Sequence, residues 1–209
     1  MNLTELDEAA WIDLELAGTD PNSGLRHVNL CTVDSDGRPL ARLVVLRSAN
    51  GQKRTIEIHT DTRSDKWRKI GANPSVTLLA FDPARGQQLR LRGTAERNGP
   101  GSPVAADAWD RLSPWTRSTC AGGPPGDPPT GKRSDAANAG DESGKVVFGV
   151  IVFRASELDW FQLERGANRR AMFPTDPVVN SWMPERSIPN FSGAQRRTAR
   201  STNATSRQG

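Results

Sequence analysis

From Arg26 to Glu96 the apolar residues fall in short runs cut by turn-forming residues, a spacing that suits strands rather than long helices. "RHVNLCTVD" (26–34), "LARLVVLR" (40–47), "RTIEIHT" (54–60), "SVTLLAF" (75–81) and "QQLRLRGTAE" (87–96) each carry alternating or β-branched apolar residues. "SDGR" and "SANGQ" separate the first three runs, with Gly37 supplying a positive φ and Asn50-Gly51 a second tight turn, so neighbouring strands should pair antiparallel. In the fifth run Gln88, Arg90 and Arg92 share one face and Leu89 and Leu91 the other. Further on, Lys145–Arg154 and Glu157–Leu163 read as two strands, and "NRRAMF" as a last one. Three short helices are expected. "LTELDEAAWIDLELAG" is amphipathic, capped by Thr4 or Asp7, with Trp11 and Leu14 on one face and Gly18 past its end. Thr62 or Ser64 caps a second helix through about Ile70, which Gly71 and Pro74 end, and Ala105–Leu112 carries Trp109. Many short strands with few helices predict a mainly β fold, an antiparallel β-barrel with a few short helices (α+β), rather than a βαβ sheet.

A length of 209 residues suits one domain, but 35% hydrophobic residues and a mean hydropathy of −0.61 imply that part of the chain does not pack. Two segments account for this. Ala121–Gly144 is a long Pro/Gly-rich stretch, expected to be a flexible loop, and residues 185–209 are rich in Ser, Thr, Asn, Gln and Arg. The expected organisation is therefore one domain over 1–184 followed by a disordered basic tail. That tail holds five arginines against one glutamate, a balance of +4 equal to the formal net charge of the whole chain, so residues 1–184 are neutral. A basic tail and an Arg90/Arg92 face would allow RNA binding. A neutral body, no tyrosine and 6% aromatics argue against a nucleic-acid partner. No run approaches a membrane span, and five acidic residues within Met1–Leu16 are unlike a secretory signal, which points to a cytoplasmic protein. Cys31 and Cys120 lie far apart without a CxxC or clustered histidines. No metal site or disulfide is expected, and Cys31 should be a small buried hydrophobe.

The chemistry concentrates around "RLVVLR". Arg42 opens this strand and Arg47 closes it, roughly 16 Å apart at 3.3 Å per residue and on opposite faces of an ideal strand. A ligand touching both must reach around an edge or meet a twist. Thr60 ends the next strand, and Ser64 and Lys66 stand at the start of the following helix, where free N–H groups and the dipole favour an anion. Taken singly, these are ordinary strand-end arginines and helix caps. Taken in order, Arg42, Thr60, Ser64 and Lys66 resemble a phosphate site, without a P-loop or GxGxxG.

The succession "RLVVLR", "IHTDTRSDK", "NPSVTLLAFDP", "QQLRLRGTAE" and "LDWFQL…NRRAMF", from about Trp11 to Pro184, resembles the pyridoxamine 5'-phosphate oxidase family of FMN-binding split β-barrels. The likeness is greatest to the subgroup described only as FMN-binding, with a final "SWMP"-type segment at Ser181–Pro184. The resemblance implies a homodimer with FMN between subunits. Arg42 would grip the phosphate or ribityl end, the main chain of Leu43, Val44, Val45 and Leu46 would lie beside the ring, and Arg47 would face the ring or substrate. His59, where the family usually has an aromatic, and Thr60 would contact ring or ribityl. Ser64 and Lys66 would serve the phosphate, Gln88 the flavin, and Trp160 and Arg170 would close the site from the partner subunit. For Trp160 the residues leave core packing open, and for His59 a satisfied barrel-end position. Gly166 and Asn168 stand where the oxidases proper hold their substrate with an arginine and a histidine, and Ser113 replaces an arginine before Pro114. Vitamin B6 oxidation is therefore not expected. The implied function is an FMN-dependent oxidoreductase of unknown substrate with no assigned catalytic residue. A non-catalytic flavin, deazaflavin or haem binder is the alternative.

Overall fold

The computed structural model describes residues 2–122 and 142–174. The central part of the 121–144 stretch, the 185–209 tail and Ser181–Pro184 lie outside the described residues.

The chain runs α1 (Leu3–Thr19), β1 (His27–Val33), β2 (Pro39–Asn50), β3 (Thr55–Asp61), α2 (Asp65–Ala72), β4 (Ser75–Asp82), β5 (Gln87–Asn98), α3 (Pro103–Asp110), α4 (Pro114–Cys120), α5 (Glu142–Lys145), β6 (Phe148–Gln162) and β7 (Arg169–Pro174). All strand pairs are antiparallel, in the order β3-β2-β1-β4-β5-β6-β7, and β3 also pairs with β6. Six strands thus close a barrel, and β7 adds a flange. Closure leaves a single interior, filled by the inward residues of each strand: Leu30, Leu46, Ile58, Leu78, Leu89 and Phe153 are all fully buried. Burying each such side chain contributes about 1.5–3 kcal/mol. A second small core holds α3 against the outside of β6 through Ala108, Trp109, Phe148 and Val150.

β6 makes this topology possible. The expected two strands are one strand of 15 residues, whose first half pairs with β3 and second half with β7, while β5 follows both. Ser156 is the extra residue of a bulge between Arg92↔Glu157 and Gly93↔Ala155. The bulge bends the strand away from barrel and into flange. Gly93 permits it, since a Cβ there would lie 2.0 Å from the Arg154 carbonyl oxygen.

Local chemistry departs from the sequence expectations at several ends. Asn2, not Thr4 or Asp7, caps α1, in a reciprocal box with Glu5. Asp7 is instead buried against β2–β3, where Arg54 binds both its oxygens and lies 5.3 Å from the Trp11 ring centroid. The expected face of Trp11 and Leu14 is buried. Arg26, one residue before β1, donates to the Ala17 and Gly18 carbonyls, tying down the end of α1. The β2–β3 turn takes its positive φ at Arg54 (54°) rather than at Asn50-Gly51, whereas Gly37 has the expected φ of 78°. α2 runs through Gly71 to Ala72, α3 starts two residues earlier than expected because Pro103 follows a Ser102 cap, and α4 was not expected at all.

Candidate functional site

The barrel opens between β2 and β3. Their ladder runs from Asn50↔Thr55 to Leu46↔Ile58 and stops there. Arg42–Val45 remains paired with β1 alone. In an antiparallel ladder alternate residues aim their N–H and C=O to opposite sides. Part of the Leu43–Val45 main chain therefore meets no strand on the β3 side, while β3 itself turns to pair His59, Thr60 and Asp61 with β6. Val44 and Leu46 point into the core, and Leu43 outward at 67% exposure.

Arg47 resolves the spacing problem of the two arginines. It is the extra residue of a bulge between Leu46 and Ser48, which redirects a side chain that strict alternation would send elsewhere. Arg47 lines a cleft of about 190 Å³ with His59, Thr60, Asp61, Thr119 and Cys120. Arg42 stays on the inward row at the barrel end, donating from Nη1 to Thr32 Oγ1 at 2.9 Å.

α2 supplies the rest. Ser64 sits at its N-cap but makes no side-chain cap bond. Its hydroxyl is buried and lies 3.2 Å from Thr60 Oγ1. The Trp67 N–H reaches the Ser64 carbonyl at 3.1 Å, and the N–H groups of Asp65 and Lys66 are left to another acceptor. Trp67 fixes the helix by lying over Gly149 of β6, where a Cβ would come within 2.7 Å of its ring. Lys66 is partly buried, and burial lowers its pKa below the ordinary lysine value. Repulsion from Arg42 lowers it further, and Asp61 offsets part of that. Burial likewise lowers Arg47, with repulsion from Arg26 second. Asp61 is itself engaged by Arg63. Among the described residues no carboxylate forms an ion pair with Arg42, Arg47 or Lys66. Arg42 and Lys66 thus repel each other at close range, and Arg47 lines the cleft beside Thr60, all three partly buried and, among the described residues, without a carboxylate partner.

His59 is held by its own strand. Its Nε2 lies 2.8 Å from Glu57 Oε1, and its ring meets Phe148 edge-on at 5.1 Å. Burial pushes the Glu57 carboxyl up, but His59 and Arg111 outweigh it and hold the group below its ordinary range. His59 both packs as a barrel-end residue and borders the cleft.

The other three expected site residues gather elsewhere. Gln88 on β5, Phe161 on β6 and Arg170 on β7 form one cross-strand row, with Trp160 beside it. Trp160 is 5% exposed within the barrel core, so the packing role is the one seen in the single chain, although its Nε1 is buried without a hydrogen-bond partner. Arg170 donates from Nε and Nη2 to Asp159 at 2.7 and 2.6 Å, an interaction that raises its pKa. β6 carries Phe148 at the cleft and Trp160 twelve residues on, up to roughly 40 Å of strand contour. Within one chain these residues do not join the Arg42–Lys66 group.

Sequence reasoning missed Thr32, Asp61, Asp159 and Cys120. Thr32 was legible in principle, since the Leu30↔Arg42 register puts it diagonally across the hairpin from Arg42. Cys31, expected buried, is only partly so and lines a separate cleft of about 540 Å³.

Residues 9–98 match the family model described as pyridoxamine 5'-phosphate oxidase, FMN-binding domain. Pyridoxine/pyridoxamine 5'-phosphate oxidase of Caulobacter vibrioides is 35% identical over 105 residues, 48% of this chain and 42% of that protein. The enzyme of the same name from Chromobacterium violaceum is 32% identical over 107 residues, 51% and 46% of the two chains. The matches thus span less than half of these relatives. Among solved structures, a pyridoxamine 5'-phosphate oxidase-related, FMN-binding protein of Nostoc punctiforme superposes with a TM-score of 0.70 at 20% identity, covering 85% of this chain and 94% of that one. PhzG of Burkholderia lata superposes at 0.65 and 18%, covering 83% and 87%. At these identities the structures establish a shared fold. Residues 9–98 carry the opening between β2 and β3, all of α2 and the unpaired cations. This stretch is similar to the FMN-binding domain of the pyridoxamine 5'-phosphate oxidase family.

Proposed function

We propose that the protein is an FMN-dependent oxidoreductase that works as a homodimer. The observation that carries the cofactor's position is Arg42 and Lys66, partly buried and, among the described residues, without carboxylate partners at the start of α2, with Arg47 in the cleft beside Thr60. The phosphate of FMN would relieve the repulsion between Arg42 and Lys66. Arg42, Lys66 and the Ser64 hydroxyl would hold it, with Thr60 nearby. The unpaired main chain of Leu43–Val45 would hydrogen-bond along the ring, and Arg47 would stand over its electron-rich end.

Size and placement support the dimer. A cleft of about 190 Å³ is smaller than the ~300–1,000 Å³ typical of cofactor pockets, so one chain does not enclose the cofactor. The outer face of β2-β1-β4-β5-β6-β7 exposes Leu43, Phe81 (44%) and Met172 (40%) around Gln88 and Arg170. A second copy laid on this face would bring Gln88 and Arg170 to the opening of its partner, while Trp160 would stay on the core side of β6.

FMN supplies hydride or electron transfer when bound. The chain's part is to bind and orient it, exclude water and keep positive charge by Arg47. Purified protein should be yellow, release FMN on denaturation and show flavin absorbance that bleaches with NADPH and returns with oxygen uptake. Bound flavin that no panel of reductants or substrates turns over would make the protein a flavin carrier. Colourless protein that takes up no FMN on titration would overturn the proposal.

A further inference from the structure

The two groups of basic residues differ in how their charge is met. Among the described residues no carboxylate pairs with Arg42, Arg47 or Lys66. On the β5–β6–β7 face the arginines are tied down. Arg92 lies 3.7 Å from Glu157, and Arg90 and Arg170 share Asp159.

Asp159 is unusual for an outward position on a strand. It lies between the core residues Leu158 and Trp160, yet it is itself 2% exposed. The two arginines cover it. Arg170 takes both its oxygens side-on, and Arg90 Nη2 reaches Oδ2 at 2.5 Å. So buried a carboxylate needs such partners to offset the hydration it loses. In turn it spends the bidentate edge of Arg170, the geometry best suited to a phosphate or carboxylate ligand.

We infer that Asp159 is a positioning residue that sets the ligand specificity of this face: it withdraws Arg90 and Arg170 from anion recognition, so the molecule meeting the flavin there carries no phosphate. This rests on the proposal that the face meets the flavin of a second copy. The surroundings fit an uncharged, largely apolar substrate. Phe81 and Met172 are exposed, Phe161 is half-buried in the row, and the Gln88 amide can orient a polar edge. Gly166 and Asn168 in the β6–β7 turn add no charge.

The test uses FMN-loaded full-length protein and a matched probe pair, pyridoxine 5'-phosphate and pyridoxine, titrated by calorimetry. The wild type should bind the two within about threefold of each other. Asp159→Asn should favour the phosphorylated probe at least tenfold, leave pyridoxine unchanged and lose the gain when Arg170→Met is added. Asp159→Glu should restore the wild-type ratio. A wild-type preference above tenfold that Arg170→Met abolishes would overturn the inference, as would a folded, flavin-loaded Asp159→Asn protein with no gain. If Asp159→Asn does not fold, the wild-type ratio and its dependence on Arg170 decide alone. Absence of bound flavin would instead defeat the proposed function.

Discussion

Lys66 carries a cost in the free protein that a bound anion would remove. Burial and the nearby Arg42 hold its pKa below the ordinary lysine value. An arriving phosphate favours the ammonium form and draws that pKa back up. FMN affinity should therefore be full below the lowered pKa and decline as pH climbs through it. Lys66→Met should weaken FMN about 10- to 100-fold, the ~1.5–3 kcal/mol of a charge-assisted hydrogen bond, and should flatten that decline. Flavin fluorescence titration across alkaline pH measures both. Undiminished affinity in Lys66→Met would place the phosphate elsewhere.

Among the elements, α2 has the largest effect on the site for its length. Only eight residues long, it delivers Ser64 and Lys66, and it stays in place through Trp67 against Gly149 of β6. Gly149→Val would drive a side chain into the Trp67 ring and the Thr62 methyl. Overpacking of this kind costs about 1–3 kcal/mol. Because the displaced element is α2, FMN affinity should fall together with the urea midpoint. A variant that lost stability but kept wild-type FMN affinity would show that α2 does not hold the phosphate. β6 works on a larger scale, since its bulge at Ser156 lets one strand close the barrel and carry the flange.

At the scale of the molecule, the proposed assembly joins two groups of residues that one chain keeps apart. Phe81, 44% exposed, lies in the cross-strand row of Gln88 and Phe161. Phe81→Asp should leave the barrel folded, because the side chain lies outside its core, and should shift the protein to monomer in light scattering. FMN affinity should fall at least tenfold with it. A dimeric Phe81→Asp protein with full affinity would put the interface on another face. FMN added at 100 times its Kd should raise wild-type stability by about 2.7 kcal/mol, seen as a higher Tm.

Strand positions and the Leu89/Leu91 against Gln88/Arg90/Arg92 alternation were legible in the sequence because period-two burial writes itself into residue order. Thr60 near the end of β3 and Ser64 and Lys66 at the start of α2 were legible too, because a strand end and a helix start are local features, whereas Arg42, expected to open its strand, lies inside β2, which begins at Pro39. Tertiary structure decided what depends on pairing between distant segments. The bulge that turns Arg47 to the cleft reflects a register with β3, and the single long β6 exists because β3 and β7 share it. Thr60 receives Ser64 rather than leaving it to cap α2, and Asp159 is buried only because Arg90, from another strand, and Arg170 close over it. Residue order fixes which face a side chain takes along its own strand, and only the closed barrel determines which charges that side chain meets.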